Sequence, residues 1–172
     1  LTELLFICYS AFFLWQLMLG LILYRRRNQD FENYFLTVVV FYMLSYIGYV
    51  LVPAIGPRFD VAHAFDKPLT GLWLGDGIRD SFENIPMVRD CFPSGHTGLT
   101  LLVLIRAWER RAFKFFFAMF PFALLLIFST VYCRFHYVAD VLCAVPFILG
   151  VLCVDAAVRH ALPRGITVPL PA

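Results

Sequence analysis

The chain has 172 residues, of which 61% are hydrophobic and only 15% charged, with a formal net charge of +2. Soluble domains carry roughly 25% charged residues, so this composition points away from water. A disordered, collagen-like or small disulfide-framework chain is excluded because each needs an excess of charge, glycine or cysteine that is missing. The small net charge and the lack of a dense basic tract speak against a nucleic-acid partner.

Apolar runs give five candidate membrane spans. The first, Leu1 to Tyr24, carries Glu3 near its start and stops at Arg25-Arg26-Arg27. At about 1.5 Å per residue it can cross a hydrocarbon core of roughly 30 Å, and it lacks the basic front and short core of a signal peptide. The second runs from about Tyr34 to Ile55, and the third from Ser94 to Trp108. The third is short of a full crossing unless Arg106 snorkels or the helix continues towards Arg110. The fourth covers about Phe115 to Val131 and the fifth Tyr137 to Val158, with Pro121 and Pro146 as candidate kinks. Residues 1–172 thus read as a single domain and an all-α, polytopic transmembrane bundle. The chain starts without methionine, which points to a processed or trimmed chain with a segment missing ahead of it.

Arg25 to Arg27, the group Arg106, Arg110, Arg111 and Lys114, and the pair Arg159 and Arg164 fall on one side under alternating topology. The positive-inside rule makes that side cytoplasmic. Residues 56–92 then form an extracytoplasmic loop over the active site, facing outwards with the link at 130–136. Arg58, Lys67, Arg79 and Arg89 sit in this loop against the charge bias, and binding an anion would account for them. Its segment Leu69 to Ile85, with Trp73 at its centre, reads either as an interfacial segment or as a packed cap over the helix ends.

Two short stretches on the outward face carry chemistry. In Arg89-Asp90-Cys91-Phe92-Pro93-Ser94-Gly95-His96-Thr97-Gly98, Ser94 is a good N-cap, and Gly95, His96 and Thr97 open a helix with unpaired N–H groups. Those donors and the helix field suit a phosphate, with Gly95 allowing close approach and His96 placed as an acid. An ordinary serine cap would look the same. In Ser129-Thr130-Val131-Tyr132-Cys133-Arg134-Phe135-His136-Tyr137-Val138-Ala139-Asp140, His136 and Asp140 are spaced to share a helix face. The carboxylate can then accept one imidazole N–H and strengthen the other nitrogen as a nucleophile, or simply serve as a structural partner. His96, His136, Asp140 and a thiolate from Cys91 or Cys133 could ligate a metal, but the spacings match no zinc signature, and neither a metal nor another cofactor is expected. Cys91 and Cys133 could also clamp the two stretches as a disulfide.

CFPSGHTG and STVYCRFHYVAD resemble the second and third signature motifs of the type 2 phosphatidic acid phosphatase (PAP2) superfamily. Members of its membrane branch usually have six spans against five here, which suits a chain whose first segment is absent. The resemblance implies a multi-pass protein, expected in a bacterial cytoplasmic membrane with its active site outwards, that acts on a lipid phosphate or diphosphate without a metal. It makes His136 the nucleophile, Asp140 its orienting carboxylate and His96 the general acid and then base; Ser94 and the Gly95 and His96 N–H groups bind phosphate. The arginine usual after the third-motif serine is replaced by Thr130, and Arg134, one helical turn on, is expected to reach the phosphate instead. The first motif has no exact copy; Arg58 is the preferred stand-in, with Lys67 and Arg89 as alternatives. These departures resemble the branch containing inositol phosphorylceramide synthase, so water, a polyol and a lipid hydroxyl all stand as acceptors, and a silent transporter or scaffold is the remaining class. Oligomeric state is open.

Overall fold

A computed structural model describes residues 1–66, 69–72, 74–83 and 88–161, and every regular element among them is helical. This is the expected all-α bundle, and lipid explains it, since a helix satisfies its backbone without help from water. The elements are α1 (Thr2–Ser10), α2 (Phe12–Arg26), α3 (Asn28–Leu51), α4 (Pro57–Asp60), α5 (Leu74–Glu83), α6 (Gly95–Glu109), α7 (Phe113–Tyr132) and α8 (Val138–Ala161), with a 3₁₀ turn at Ala62–Ala64.

The first expected span is broken. α1 and α2 meet at Ala11 with a bend of 46°, where a straight helix over Leu1 to Tyr24 was expected. Beside the break, the Ser10 hydroxyl donates to the Phe6 carbonyl at 2.9 Å, a back-bond that competes with the helix ladder and favours bending. α3, α7 and α8 are long and apolar enough to cross a membrane, and the bent pair makes a fourth candidate. α6 has 15 residues and reaches about 22 Å, less than the hydrocarbon thickness. The expected five spans therefore become up to four by length. Pro121 and Pro146 lie inside α7 and α8, which continue through them.

The short helix is the central one. α6 packs against α2, α3, α7 and α8, and its Leu99, Leu102 and Ala107 are almost wholly buried with Leu19, Phe41 and Leu126. A second apolar cluster sits where α7 ends: Leu5, Phe6 and Tyr9 of α1 meet Cys133 and Phe135, with Leu69 and Ile78 against them. Glu3 accepts N–H bonds from Leu72 at 2.7 Å and Gly75 at 2.9 Å, so a carboxylate from α1 caps the start of α5 and complements its dipole. Of the two readings of the segment from Leu69, these contacts support the packed cap; Trp73 and Ile85 lie outside the described residues.

Of the basic groups expected to share a side, those described gather at one end of the bundle; Arg164 lies outside the described residues. Arg26 reaches the Arg111 carbonyl at 3.4 Å, and Arg110 pairs with Asp30 at 2.8 Å. Arg106 does not snorkel. It turns inwards, nine-tenths buried, and donates to Asp155 at 2.7 Å, Thr37 at 3.1 Å and Glu109 at 2.5 Å. Asp155 also accepts from Arg159, which bonds Thr37 and both oxygens offered by Asn33. The network ties α3, α6 and α8 together, and charges at this depth need such partners. Replacing Asp155 leaves two arginines short of their counter-charge. Asp155→Ala should therefore lower stability by about 3 kcal/mol, measured by thermal unfolding of the detergent-solubilised protein.

Candidate active site

The site begins where α7 stops. The Thr130 carbonyl accepts N–H bonds from Phe135 at 3.1 Å and His136 at 2.9 Å, a closure of the helix end that requires a left-handed residue. Arg134 supplies it with φ of 63°, at a cost of roughly 1 kcal/mol for a side chain there. The expectation that Thr130 and Arg134 lie one turn apart on a continuing helix is thus not met, because α7 ends at Tyr132. The Arg134 guanidinium instead lies 3.9 Å from the centre of the Phe65 ring.

His136 also precedes its helix, since α8 begins at Val138. Asp140 sits in the first turn, and its Oδ2 accepts the Tyr137 N–H at 2.7 Å, half of a capping box. His136 Nδ1 and Asp140 Oδ2 are 3.7 Å apart, too far for the expected hydrogen bond. The Nδ1 partner is the Cys91 carbonyl at 2.8 Å. A carbonyl only accepts, so Nδ1 carries the proton and Nε2 keeps the lone pair. The imidazole is therefore held as the tautomer that a nucleophilic Nε2 requires, by a backbone oxygen rather than a carboxylate.

The second stretch behaves as its cap signal predicts. Ser94 is fully buried, its Oγ accepts the Thr97 N–H at 3.4 Å, and its own proton goes to Thr97 Oγ1 at 3.1 Å. The Ser94 N–H reaches the Asp140 carbonyl at 3.3 Å, joining the starts of α6 and α8. The Gly95 and His96 N–H groups have no acceptor among the described residues. At Gly95 a Cβ would lie 2.6 Å from the Tyr49 hydroxyl, so the missing side chain makes room for Tyr49 at the mouth of the helix.

His96 lines a cavity of about 320 Å³ together with Tyr9, Phe12, Tyr46, Arg58 and Asp90. Its ring stacks on Tyr9 at 4.1 Å, meets Phe12 at 4.2 Å, and its Nδ1 lies 3.3 Å from the Tyr9 hydroxyl. Tyr9 stacks in turn on Phe135 at 4.2 Å, and the His96 and His136 ring centres are 6.1 Å apart. The bend at Ala11 presents Tyr9 and Phe12 from its two sides to one imidazole. Arg58 is brought in by the chain leaving α3: its N–H bonds the Arg134 carbonyl at 3.0 Å, and its guanidinium lies over Phe59 and Phe135 at 4.5 and 5.1 Å.

Of the expected phosphate ligands, Arg58 and His96 share this cavity, Gly95 adjoins it, and Ser94 is turned into the helix cap. Arg134 and Arg89 do not line it, and Arg89 is exposed. Lys67 lies outside the described residues. Cys91 and Cys133 are both free and buried, so the disulfide is absent; the Cys91 Sγ approaches Asp140 Oδ2 at 2.9 Å instead. Burial pushes the Cys133 thiol up to about 12. Cys91, His136 and Asp140 place three ligand-type atoms within 4.8 Å of one another, the set available to a metal, and they are engaged in the contacts just described. Tyr9, Tyr49 and Asp90 were missed in the sequence. Tyr9 and Tyr49 belong to apolar runs, where a tyrosine near a helix end reads as an interfacial anchor.

A sequence model of the PAP2 superfamily matches residues 1–154. The chain belongs to the PAP2 superfamily. No curated protein and no solved structure matches it. PAP2 proteins are generally phosphatases, so membership supports an enzyme of phosphatase type, and with its apolar helices of spanning length it is an integral membrane protein. In this PAP2 protein the Tyr49 contact makes a prediction. Gly95→Ala should reduce phosphatase activity at least tenfold, because the Tyr49 hydroxyl and the new methyl cannot both fit. Adding Tyr49→Phe should restore part of it, read as initial rates of phosphate release.

Proposed function

We propose that the protein hydrolyses a lipid phosphate or diphosphate at the extracytoplasmic face through a phosphohistidine on His136. The observation that carries this reading is the Nδ1–H bond to the Cys91 carbonyl, which leaves Nε2 as the free nucleophile 45 residues on in a chain of matching family. Nε2 forms its bond to phosphorus as the bond to the leaving oxygen breaks; His96, whose pKa is lowered to about 3 by burial and then by His136, takes up a proton against the negative charge of the bound phosphate and gives it to that oxygen. Water then attacks phosphorus, His96 takes its proton, and His136 is released. The unpaired Gly95 and His96 N–H groups and the Arg58 guanidinium supply positive charge to the equatorial oxygens, so the scheme requires no metal.

A polyol or lipid hydroxyl in place of water gives a head-group phosphotransferase resembling inositol phosphorylceramide synthase. Thr130, in place of the usual arginine, is the residue that favours keeping this second reading, and acceptor choice rests on pocket shape and water exclusion. The protein would work in the bacterial cytoplasmic membrane, with residues 56–92 over the site and the arginine-rich end in the cytoplasm.

Rapid-quench trapping of acid-labile phosphoprotein tests the chemistry. His136→Ala should form none, whereas His96→Ala should retain some when the leaving group is already acidic; normal trapping in the His136 variant would overturn the assignment. Arg58→Ala should lose roughly a hundredfold in kcat/KM, about 3 kcal/mol of transition-state stabilisation. For orientation, Asp76→Cys should react with an impermeant maleimide in intact cells and Arg110→Cys only after permeabilisation, each compared with the parent protein. The reverse pattern would move the site to the cytoplasm.

A further inference from the structure

Cys91 touches both members of the His136–Asp140 pair. Its carbonyl takes the Nδ1 proton at 2.8 Å, while its Sγ lies 3.5 Å from Nδ1 and 2.9 Å from Asp140 Oδ2. An ionised carboxylate can only accept, so the thiol is the donor in the last contact. Burial first, and then the adjoining Asp140, push the Cys91 thiol far above its ordinary value, so it stays protonated and able to donate at neutral pH. The residue is 3% exposed, its N–H is directed at the Ala54 carbonyl at 3.4 Å, and a Cβ on Gly56 would sit 3.8 Å from Sγ. The chain leaving α3 thus packs against the thiol, whose shorter contact is to Asp140 and whose second acceptor is the Phe135 carbonyl at 3.4 Å.

We propose that Cys91 is a positioning residue for the reaction at His136, its thiol restraining the Asp140 carboxylate at the edge of the imidazole. This rests on His136 being the nucleophile. A nucleophilic imidazole must be neutral before attack, and it gains positive charge once Nε2 carries the phosphoryl group. A carboxylate in direct contact would raise the affinity of the resting ring for a second proton; one that is absent would leave the phosphorylated ring without a counter-charge. With part of its charge engaged by the thiol and by the Tyr137 N–H, Asp140 stands 3.7 Å off and serves the second state without capturing the first. The other groups facing His136 are Cys91 itself and His96 from α6; Tyr9 from α1 and the Arg58 guanidinium reach its neighbour Phe135.

The test compares Cys91→Ala, Cys91→Ser, Asp140→Asn and the double variant Cys91→Ala with Asp140→Asn. Each full-length protein is assayed in detergent micelles with a short-chain lipid phosphate, by rapid-quench phosphoenzyme formation and by phosphate release across pH. Cys91→Ala should slow phosphoenzyme formation about tenfold with KM within about twofold, and should move the acid limb of kcat/KM upwards by roughly half a unit to one unit, as Asp140 closes on Nδ1. Cys91→Ser, which keeps a donor, should recover most of the rate. The double variant should be no slower than Asp140→Asn alone, because the thiol acts through that carboxylate. Should Cys91→Ala fail to fold, Cys91→Val provides the same comparison at a volume nearer to cysteine. A wild-type rate with an unmoved acid limb in the alanine or valine variant, or additive losses in the double variant, would overturn the inference. If the wild-type protein hydrolyses lipid phosphate but traps no phosphohistidine, the reading of His136 fails and the role of Cys91 falls with it. If trapping is normal and only the Cys91 variants are silent, the nucleophile stands and the positioning role alone is lost.

Discussion

The hydrogen bond from His136 Nδ1 to the Cys91 carbonyl is the contact around which the histidine-bearing end of the bundle is arranged. It joins residues 45 positions apart, one in the turn after α7 and the other in the chain entering α6. A backbone oxygen cannot rotate away or change protonation, so it sets the ring tautomer more rigidly than a side chain would. Everything nearby conforms to it. The Thr130 carbonyl sets the height of His136, Arg134 accepts a left-handed backbone so that the turn can close, and the Ser94 N–H fastens α6 to the first turn of α8.

The two ends of the bundle are held by different forces. At one end, Arg106, Asp155, Arg159 and Thr37 form a charged network among α3, α6 and α8. At the other, Phe135, Tyr9 and His96 stack in one column, and the carboxylates of Glu3 and Asp140 are met by N–H and S–H donors. α6 belongs to both, running from the Ser94 cap to the Arg106 network in 15 residues. Its shortness follows from those anchors, since one end is held in the site and the other in the ion network. Ion pairs hold the helices at one end, while at the other the Gly95 and His96 N–H groups have no acceptor among the described residues.

Much of this was legible from local chemistry. Apolar runs ended by arginines marked the helices, and Ser94 before an apolar stretch marked its own cap. Gly95 reads in the sequence as the place where an anion approaches the backbone, and the group the structure puts against it is the Tyr49 hydroxyl. What escaped were features made by distant partners. Asp155 gives no local signal of its role, which depends on Arg106 49 residues earlier. The bend at Ala11 carries neither proline nor glycine, and Ser10 signals it weakly. His136 and Asp140 had helical spacing, but α8 starts two residues after the histidine, so a spacing argument could not anticipate that Cys91 would take the place between them. Arg134 was placed by extending a helix that the Thr130 carbonyl closes.

The Arg106–Asp155 pair also bears on how the protein is made. During synthesis α6 emerges well before α8, so Arg106 meets the membrane while the residue that will neutralise it has not yet been assembled. Glu109, three residues on, and Thr37 of α3, which is synthesised before it, are the partners in the finished bundle that do not depend on α8. An incomplete intermediate of this kind holds a buried cation in a shallow, short helix, one that is poorly suited to remain in lipid by itself. Arrival of α8 supplies Asp155 and Arg159 together and converts α6 from a weakly inserted segment into the centre of the bundle. Membrane integration and tertiary folding are therefore one event for this helix, and its residence in the bilayer depends on the last span to be synthesised among those described.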